Sequence, residues 1–161
     1  MGYSTEFEGA LDITPAPTLE FTEYINRFSN TRRMERDNKK LKKIIGHELL
    51  CFKRNPGNHG EYYAPASANF GQEKDLSITN YNCPPPSQPS LWCQWVIKDG
   101  KLYHDGGEKF YEYIPWLEYL IKHFFAPEGY KLNGEISWQG ENSFDKGKIS
   151  VKDNIIETDY Y

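Results

Sequence analysis

A chain of 161 residues with a net charge of −4, 16% aromatic residues and three cysteines is one domain's worth of sequence that can form a core without disulfide staples. This balance excludes a bulk nucleic-acid coat, which would be strongly basic, and a disulfide-framed secreted module. No apolar run approaches the roughly 18 residues of a membrane span, no basic-then-apolar leader opens the sequence, and Glu6 stands where N-myristoylation wants Ser or Thr, so the chain reads as cytoplasmic with reduced thiols.

Tyr3 to Ile13 alternates apolar and polar residues, with Glu6, Glu8 and Asp12 on the polar side, and predicts a strand with one buried face. Pro15 and Pro17 end it. Thr18 then caps a helix whose stripe is Phe21, Tyr24, Ile25 and Phe28. A basic strip follows: Arg32, Arg33, Arg36, Lys39, Lys40, Lys42 and Lys43 with Glu35 and Asp37 give a net of +5, so the rest of the chain carries −9 against the −4 of the whole. Met34, Leu41, Ile44 and Ile45 supply a short charged helix ending at Gly46, with Glu35 one turn before Lys39.

From Asn55 to Gln88 the sequence is rich in Gly, Pro, Asn and Ser. Only Glu61 to Ala64 and Leu76 to Asn80 look strand-like, and the segment at about 55–90 reads as a lid or wrapping loop within a single domain, 1–161. Leu91 to Ile97 predicts a strand, Asp99-Gly100 a two-residue hairpin turn, and Leu102 to His104 the return. After Gly106-Gly107 a helix should run to about Phe125, with Pro115 in its first turn and a stripe of Ile114, Leu117, Leu120, Ile121 and Phe124. Leu132 to Trp138, Ile149 to Val151 and Ile155-Ile156, with a turn at Asp153-Asn154, form a meander. The sum is an α+β fold: a mostly antiparallel sheet of about five to six strands with two main helices packed on one face.

The hairpin register sets Trp95 opposite His104 and Cys93 opposite Gly106. Cys93 and His104 become diagonal neighbours about 7–8 Å apart, within reach of a thiol–imidazole pair. Cys93 also sits in the core-facing register with Leu91, Trp95 and Ile97, the usual place of a free cysteine. The reverse face carries Trp92, Gln94, Tyr103 and Asp105, a mixture of aromatic and hydrogen-bonding groups that suits binding. Beside it, Gly106 and Gly107 can expose backbone N–H groups to an anion, with Glu108 as an acid–base candidate, Lys109 as a further contact and Trp138 as a stacking residue. The catalytic candidates are thus Cys93, His104 and Glu108. His47, His59, His104, His123 and the cysteines lack ligand spacing and HExxH is absent, so neither metal nor cofactor is expected.

Met1-Gly2-Tyr3, Phe7-Glu8-Gly9, Ile13-Thr14-Pro15, Asn26-Arg27-Phe28, Thr31-Arg32-Arg33-Met34 and Gln88-Pro89-Ser90-Leu91-Trp92-Cys93-Gln94-Trp95-Val96 form an ordered set of motifs. It continues with Asp105-Gly106-Gly107-Glu108-Lys109-Phe110-Tyr111, Gly129-Tyr130-Lys131-Leu132-Asn133-Gly134, Trp138-Gln139-Gly140-Glu141 and Val151-Lys152-Asp153-Asn154. Over most of its length the chain resembles a family of small bacterial and phage proteins known only as a domain of unknown function. It departs from that pattern in the lysine-rich stretch Asn38 to Lys43 and around Asn142-Ser143-Phe144. The resemblance implies a phage or mobile-element setting, and it carries no catalytic residue over to this chain.

Twelve tyrosines in a chain of mean hydropathy −0.77 put amphipathic rings at a polar surface. Together with the charge asymmetry, this favours a non-enzymatic binding protein with a protein partner, one that inhibits or sequesters a host defence factor. The alternatives are capture of a nucleotide or other phosphate ligand through Gly106-Gly107 and the basic strip, or a small Cys/His hydrolase or transferase.

Overall fold

The computed structural model describes residues 2–45, 55–65, 72 and 74–161. Gly46, the expected stop of the second helix, and His47 and Cys51 lie outside the described residues. The elements are β1 (Thr5–Thr14), α1 (Leu19–Ser29), β2 (Glu35–Arg36), α2 (Asn38–Ile45), β3 (Ile78–Asn80), β4 (Trp95–Lys98), β5 (Lys101–His104), α3 (Tyr113–Leu120), β6 (Lys131–Gly140), β7 (Lys146–Lys152) and β8 (Ile155–Tyr160). A π-helical turn, Ile121–Phe125, continues α3. The class is α+β: a six-stranded antiparallel sheet, a small two-stranded sheet and helices. No described helix is long and apolar enough to cross a membrane. Two compact units emerge, Met1–Thr22 with Gln94–Tyr161, and Glu23–Cys93. The chain passes from one to the other within α1.

The first unit holds the six-stranded sheet in the order β4-β5-β1-β6-β7-β8. β1 runs through the middle, between the β4–β5 hairpin and the β6–β8 meander, and pairs with β6 along its whole length. Period-two alternation accounts for both faces. Leu11, Ile13, Leu102, Ile136, Ile149 and Val151 are buried on one side, while Glu6, Glu8, Ser137, Gln139 and Lys146 are exposed on the other. The hairpin register is the expected one, Trp95 opposite His104 and Lys98 opposite Lys101. The ladder nevertheless begins at Trp95 rather than Leu91.

The α3 helix and its π turn cover the buried face. The Trp95 indole N–H donates to the Tyr113 carbonyl at 2.9 Å, and Tyr113 packs on Trp138. Leu117, Leu120, Ile121 and Phe124 are buried as the stripe predicts, and the π turn adds Phe125 beside Phe124. Its hallmark bonds reach five residues back, from Ala126 N–H to the Ile121 carbonyl. Thr18 caps α1 as expected, its Oγ1 accepting the Phe21 N–H at 3.1 Å, and the Phe21 ring meets Phe125 and Tyr130.

The second unit is built round arginines. Arg33 is 1% exposed, with its guanidinium 4.1 Å from the Phe28 ring centre and its Nη2 donating to the carbonyls of Gly60 and Glu61 at 3.2 and 3.3 Å. Arg36, 4% exposed, bonds Asp75 Oδ2 at 2.9 Å and Ser77 Oγ at 2.8 Å and lies over Tyr63. Arg32 is half-buried over Tyr81. The expected strip of seven surface cations is therefore reduced to Lys39, Lys40, Lys42 and Lys43, all exposed on α2. Outside β3, the Gly/Pro/Asn-rich segment lacks a period of its own, and its Gly60 and Glu61 carbonyls turn inward onto the Arg33 guanidinium instead of joining a ladder. Its Gln88 side chain also donates to the Glu61 carbonyl, at 2.8 Å. Among its described residues, Gly60, Glu61, Ser77 and Gln88 thus line the unit's interior.

Asp37 caps α2, its Oδ1 accepting the Lys40 N–H at 2.9 Å, and Leu41 is the buried member of the helix's apolar face, packed on Tyr63. Glu35, expected one turn before Lys39 on this helix, lies in β2 and pairs with His59 at 3.6 Å. Glu61 to Ala64, expected to be strand-like, is a turn with one bridging residue, while Ile78–Asn80 does form β3 against β2.

Candidate functional site

The residues around Gly106-Gly107 form a clasp inside the first unit. The Gly106 N–H donates to His104 Nδ1 at 3.3 Å, which places the ring proton on Nε2, and that nitrogen lies 3.0 Å from Gln94 Oε1. The Gln94 amide nitrogen donates to the Glu108 carbonyl at 3.0 Å, and Asp105 Oδ1 accepts the Gly107 N–H at 2.7 Å. Gln94, His104, Asp105, Gly106, Gly107 and Glu108 are thus brought together, but their polar groups are spent on one another. Both glycine N–H groups already have acceptors, one of them a carboxylate. Lys109 follows, exposed and with a positive φ of 58°.

The other sequence candidates lie apart from solvent or apart from chemistry. Cys93 is fully buried, in keeping with the core-facing register. Trp92 and Tyr103 are half-buried, Tyr103 opposite Val96 in the hairpin. Trp138 is buried rather than presented for stacking.

The His104 ring is enclosed by aromatic groups, 4.6 Å from Phe7 and stacked on Phe110 at 5.6 Å. Burial holds this imidazole below the usual histidine range, and Asp105 offsets only part of that effect. A base whose folded pKa is depressed is fully accommodated above the unfolded value of 6.5, and its contribution is lost as pH falls below it, because the unfolded chain takes up the proton first. Unfolding at pH 7.5 and 5.5 should therefore show a loss of stability on acidification that is smaller in His104→Gln. Equal losses in the two proteins would contradict the assignment.

A second constellation, of which only Trp138 is a sequence candidate, gathers at the end of the sheet where β1 begins, β6 turns into β7 and β8 ends. Asp145 is its anchor: Oδ2 accepts the Tyr3 hydroxyl at 2.8 Å and Oδ1 the Trp138 indole N–H at 3.2 Å. The Tyr3 oxygen also accepts the Asn142 N–H at 3.0 Å, and the Tyr3 N–H donates to the Tyr111 hydroxyl at 3.1 Å. The Trp138 ring lies 5.9 Å from Tyr113 and 5.3 Å from Tyr160. It reaches Tyr160 by crossing β7 at Gly147, where a Cβ would sit 2.4 Å from the indole; only glycine leaves that passage open. Burial, then the charge of Asp145 and the neighbouring Tyr160 and Tyr3, push the Tyr113 phenol up to about 12.

Round this ordered base stand exposed rings: Phe144, Tyr160 and Tyr161 are 84, 73 and 65% exposed, with Tyr3 and Tyr111 beside them. Tyr161 also walls a groove of about 480 Å³ on the open sheet face, whose polar lining is Glu6, Glu8, Ser137, Gln139 and Lys146. The sequence held two signals for this surface, the tyrosine excess and the adjacent pair Tyr160-Tyr161, but no spacing that joined them to Tyr3 or Phe144. Comparison with protein-family models, curated proteins and solved structures finds no match to this chain.

Proposed function

We propose that this chain is a non-enzymatic binding protein that captures a protein partner at its tyrosine-rich end and, in a phage or mobile-element setting, sequesters a host factor. The reading rests on one observation: exposed rings flank the hydrogen-bonded base centred on Asp145, Phe144 next to it in the chain, Tyr3 and Tyr111 bonded at it, Tyr160 on the helix-covered side of the sheet edge and Tyr161 on the open side. Tyrosine and tryptophan dominate interface hot spots, and Tyr3, Tyr111 and Tyr160, held by hydrogen bonds or by Trp138, lose little freedom on binding. Exposed aromatic rings grouped in this way carry a cost in water that a partner removes.

The alternatives have less support. Phosphate capture needs free N–H groups at Gly106-Gly107, and both donate within the clasp, one to a carboxylate. A Cys/His mechanism needs an accessible thiol and an unengaged imidazole, whereas Cys93 is buried and both nitrogens of His104 are engaged.

The test is co-purification from bacterial cells of the tagged chain and of a Phe144→Ala, Tyr160→Ala, Tyr161→Ala variant, with thermal unfolding of each as a control for folding. A partner in near-stoichiometric amount with the parent chain, lost from a variant that still unfolds cooperatively, is the expected result. A partner retained by the variant, or none with the parent chain, overturns the reading.

A further inference from the structure

The strand β8 ends the six-stranded sheet, and among the described residues no strand pairs with its outer edge. Proteins ordinarily guard such an edge with charged side chains, lysine above all, a proline, a bulge or brevity, and the charges of β8 are the acids Glu157 and Asp159. The opposite edge strand, β4, is four residues long and ends on Lys98. β8 is six residues long, contains neither lysine nor proline, and keeps an unbroken register with β7 from Ile155 to Tyr160.

The Tyr161 N–H donates to the Lys146 carbonyl, so by the alternation of an antiparallel ladder Ile155, Glu157 and Asp159 bond to β7. Ile156, Thr158 and Tyr160 therefore direct their N–H and C=O groups to the open edge. We infer that this edge accepts an added strand from the partner, in a segment where basic and apolar residues alternate. The inference rests on the binding reading above and names the chemistry of the partner.

Charge and register carry the argument. Residues of an added strand opposite Glu157 and Asp159 would lie on the open sheet face against exposed carboxylates; those opposite Ile156, Thr158 and Tyr160 would lie on the other face, against partly apolar side chains. The inner neighbour already has this pattern. β7 sets Lys148 opposite Asp159, and Ile149 and Val151 opposite Thr158 and Ile156. A second copy of this chain fits poorly. Two β8 strands related by a two-fold axis normal to the sheet and centred on Glu157, Thr158 or Asp159 would oppose acids to acids, and like charges directly opposite destabilise a pair. Tyr160 belongs both to this edge and to the exposed aromatic end, which gives an added strand a hydrophobic anchor.

Fluorescence anisotropy with a labelled, end-blocked Val-Lys-Val-Lys-Val-Lys peptide tests this directly, with Val-Glu-Val-Glu-Val-Glu as its counterpart. The lysine peptide should bind the parent chain saturably, and binding should weaken about tenfold or more in Glu157→Lys, Asp159→Lys. The glutamate peptide should prefer that charge-reversed variant. Thr158→Pro should also lose the lysine peptide while keeping the parent's unfolding temperature to within a few degrees, because it removes only an outward N–H. Equal binding of the two peptides, binding indifferent to these variants, no binding at all, or a dimer of the parent chain that Thr158→Pro dissociates would each overturn strand addition. Should these arms fail while partner capture stays sensitive to Phe144→Ala, the binding reading survives without the strand.

Discussion

Replacing Arg36 with methionine is expected to destabilise the second unit by about 3 kcal/mol, because removing one member of a buried ion pair strands the other. The Arg36 side chain is 4% exposed and bonds both Asp75 and Ser77, while Asp75 is 29% exposed and retains water on one side. That residual solvation places the cost at the lower end of what such breaks produce. The pair should show its coupling in a cycle: Arg36→Met with Asp75→Ala should cost less than the two single changes added together.

Acid should act on the same pair. Burial opposes ionisation of Asp75, but the Ser77 and Arg36 hydrogen bonds outweigh it and hold the carboxyl below its usual value of 3.8. A depressed carboxylate gives stability that is present above the unfolded pKa and lost as pH falls through the folded one. Denaturant titrations near pH 7 and pH 3 should show the loss in the parent chain and a smaller one in the Arg36 variant.

In the first unit a large effect of a small change is expected at Gly134. Its φ is +143°, a conformation that side chains rarely adopt, and a Cβ there would lie 2.8 Å from the Ala10 carbonyl oxygen and 3.3 Å from Leu11 Cα. Both obstacles are backbone of the central strand β1, so neither can swing aside. Gly134→Ala should cost about 3 kcal/mol from backbone strain and overpacking combined, lowering the unfolding temperature by roughly 6–12 °C at this chain size. Glu135→Ala, one residue on and exposed on the open face, should cost no more than about 0.5 kcal/mol, since its contact with Lys148 is a surface pair. Thermal unfolding of the two variants side by side distinguishes local strain at Gly134 from a general intolerance of β6.

The sheet and its helix were largely legible in the sequence because their signals are local. Alternation marked β1 and β6, Asp99-Gly100 and Asp153-Asn154 marked the hairpin turns, and Thr18 marked the start of α1. The position of β1 between the later hairpin and the meander was not legible, since nothing local specifies a pairing about ninety or more residues away. Nor was the late start of β4: the Leu91 carbonyl is taken by the Arg33 N–H at 2.7 Å, a bond internal to the second unit.

Charge misled in one respect. A run of cations is ordinarily a solvated face, and Arg33 and Arg36 escape that rule because carbonyls and a carboxylate from a segment without periodicity converge on them. The aromatic end was hidden for a related reason. The Tyr3 hydroxyl and Asp145 stand 142 residues apart in the chain, and the surface is assembled from four separate stretches. The clasp at Gly106-Gly107, by contrast, was visible as a cluster, while the direction of its hydrogen bonds was not.

The central claim is that the exposed rings at Phe144 and Tyr160 form the surface that meets a partner. Photo-crosslinking from single benzoylphenylalanine substitutions in bacterial cells tests it most directly, with probes at positions 144 and 160 and controls at Lys98 and Lys152, which stand at the far ends of β4 and β7. Probes at the two aromatic positions should yield the same discrete adduct and the controls none. Adducts of equal yield at all four positions, or at the control positions only, would contradict the account.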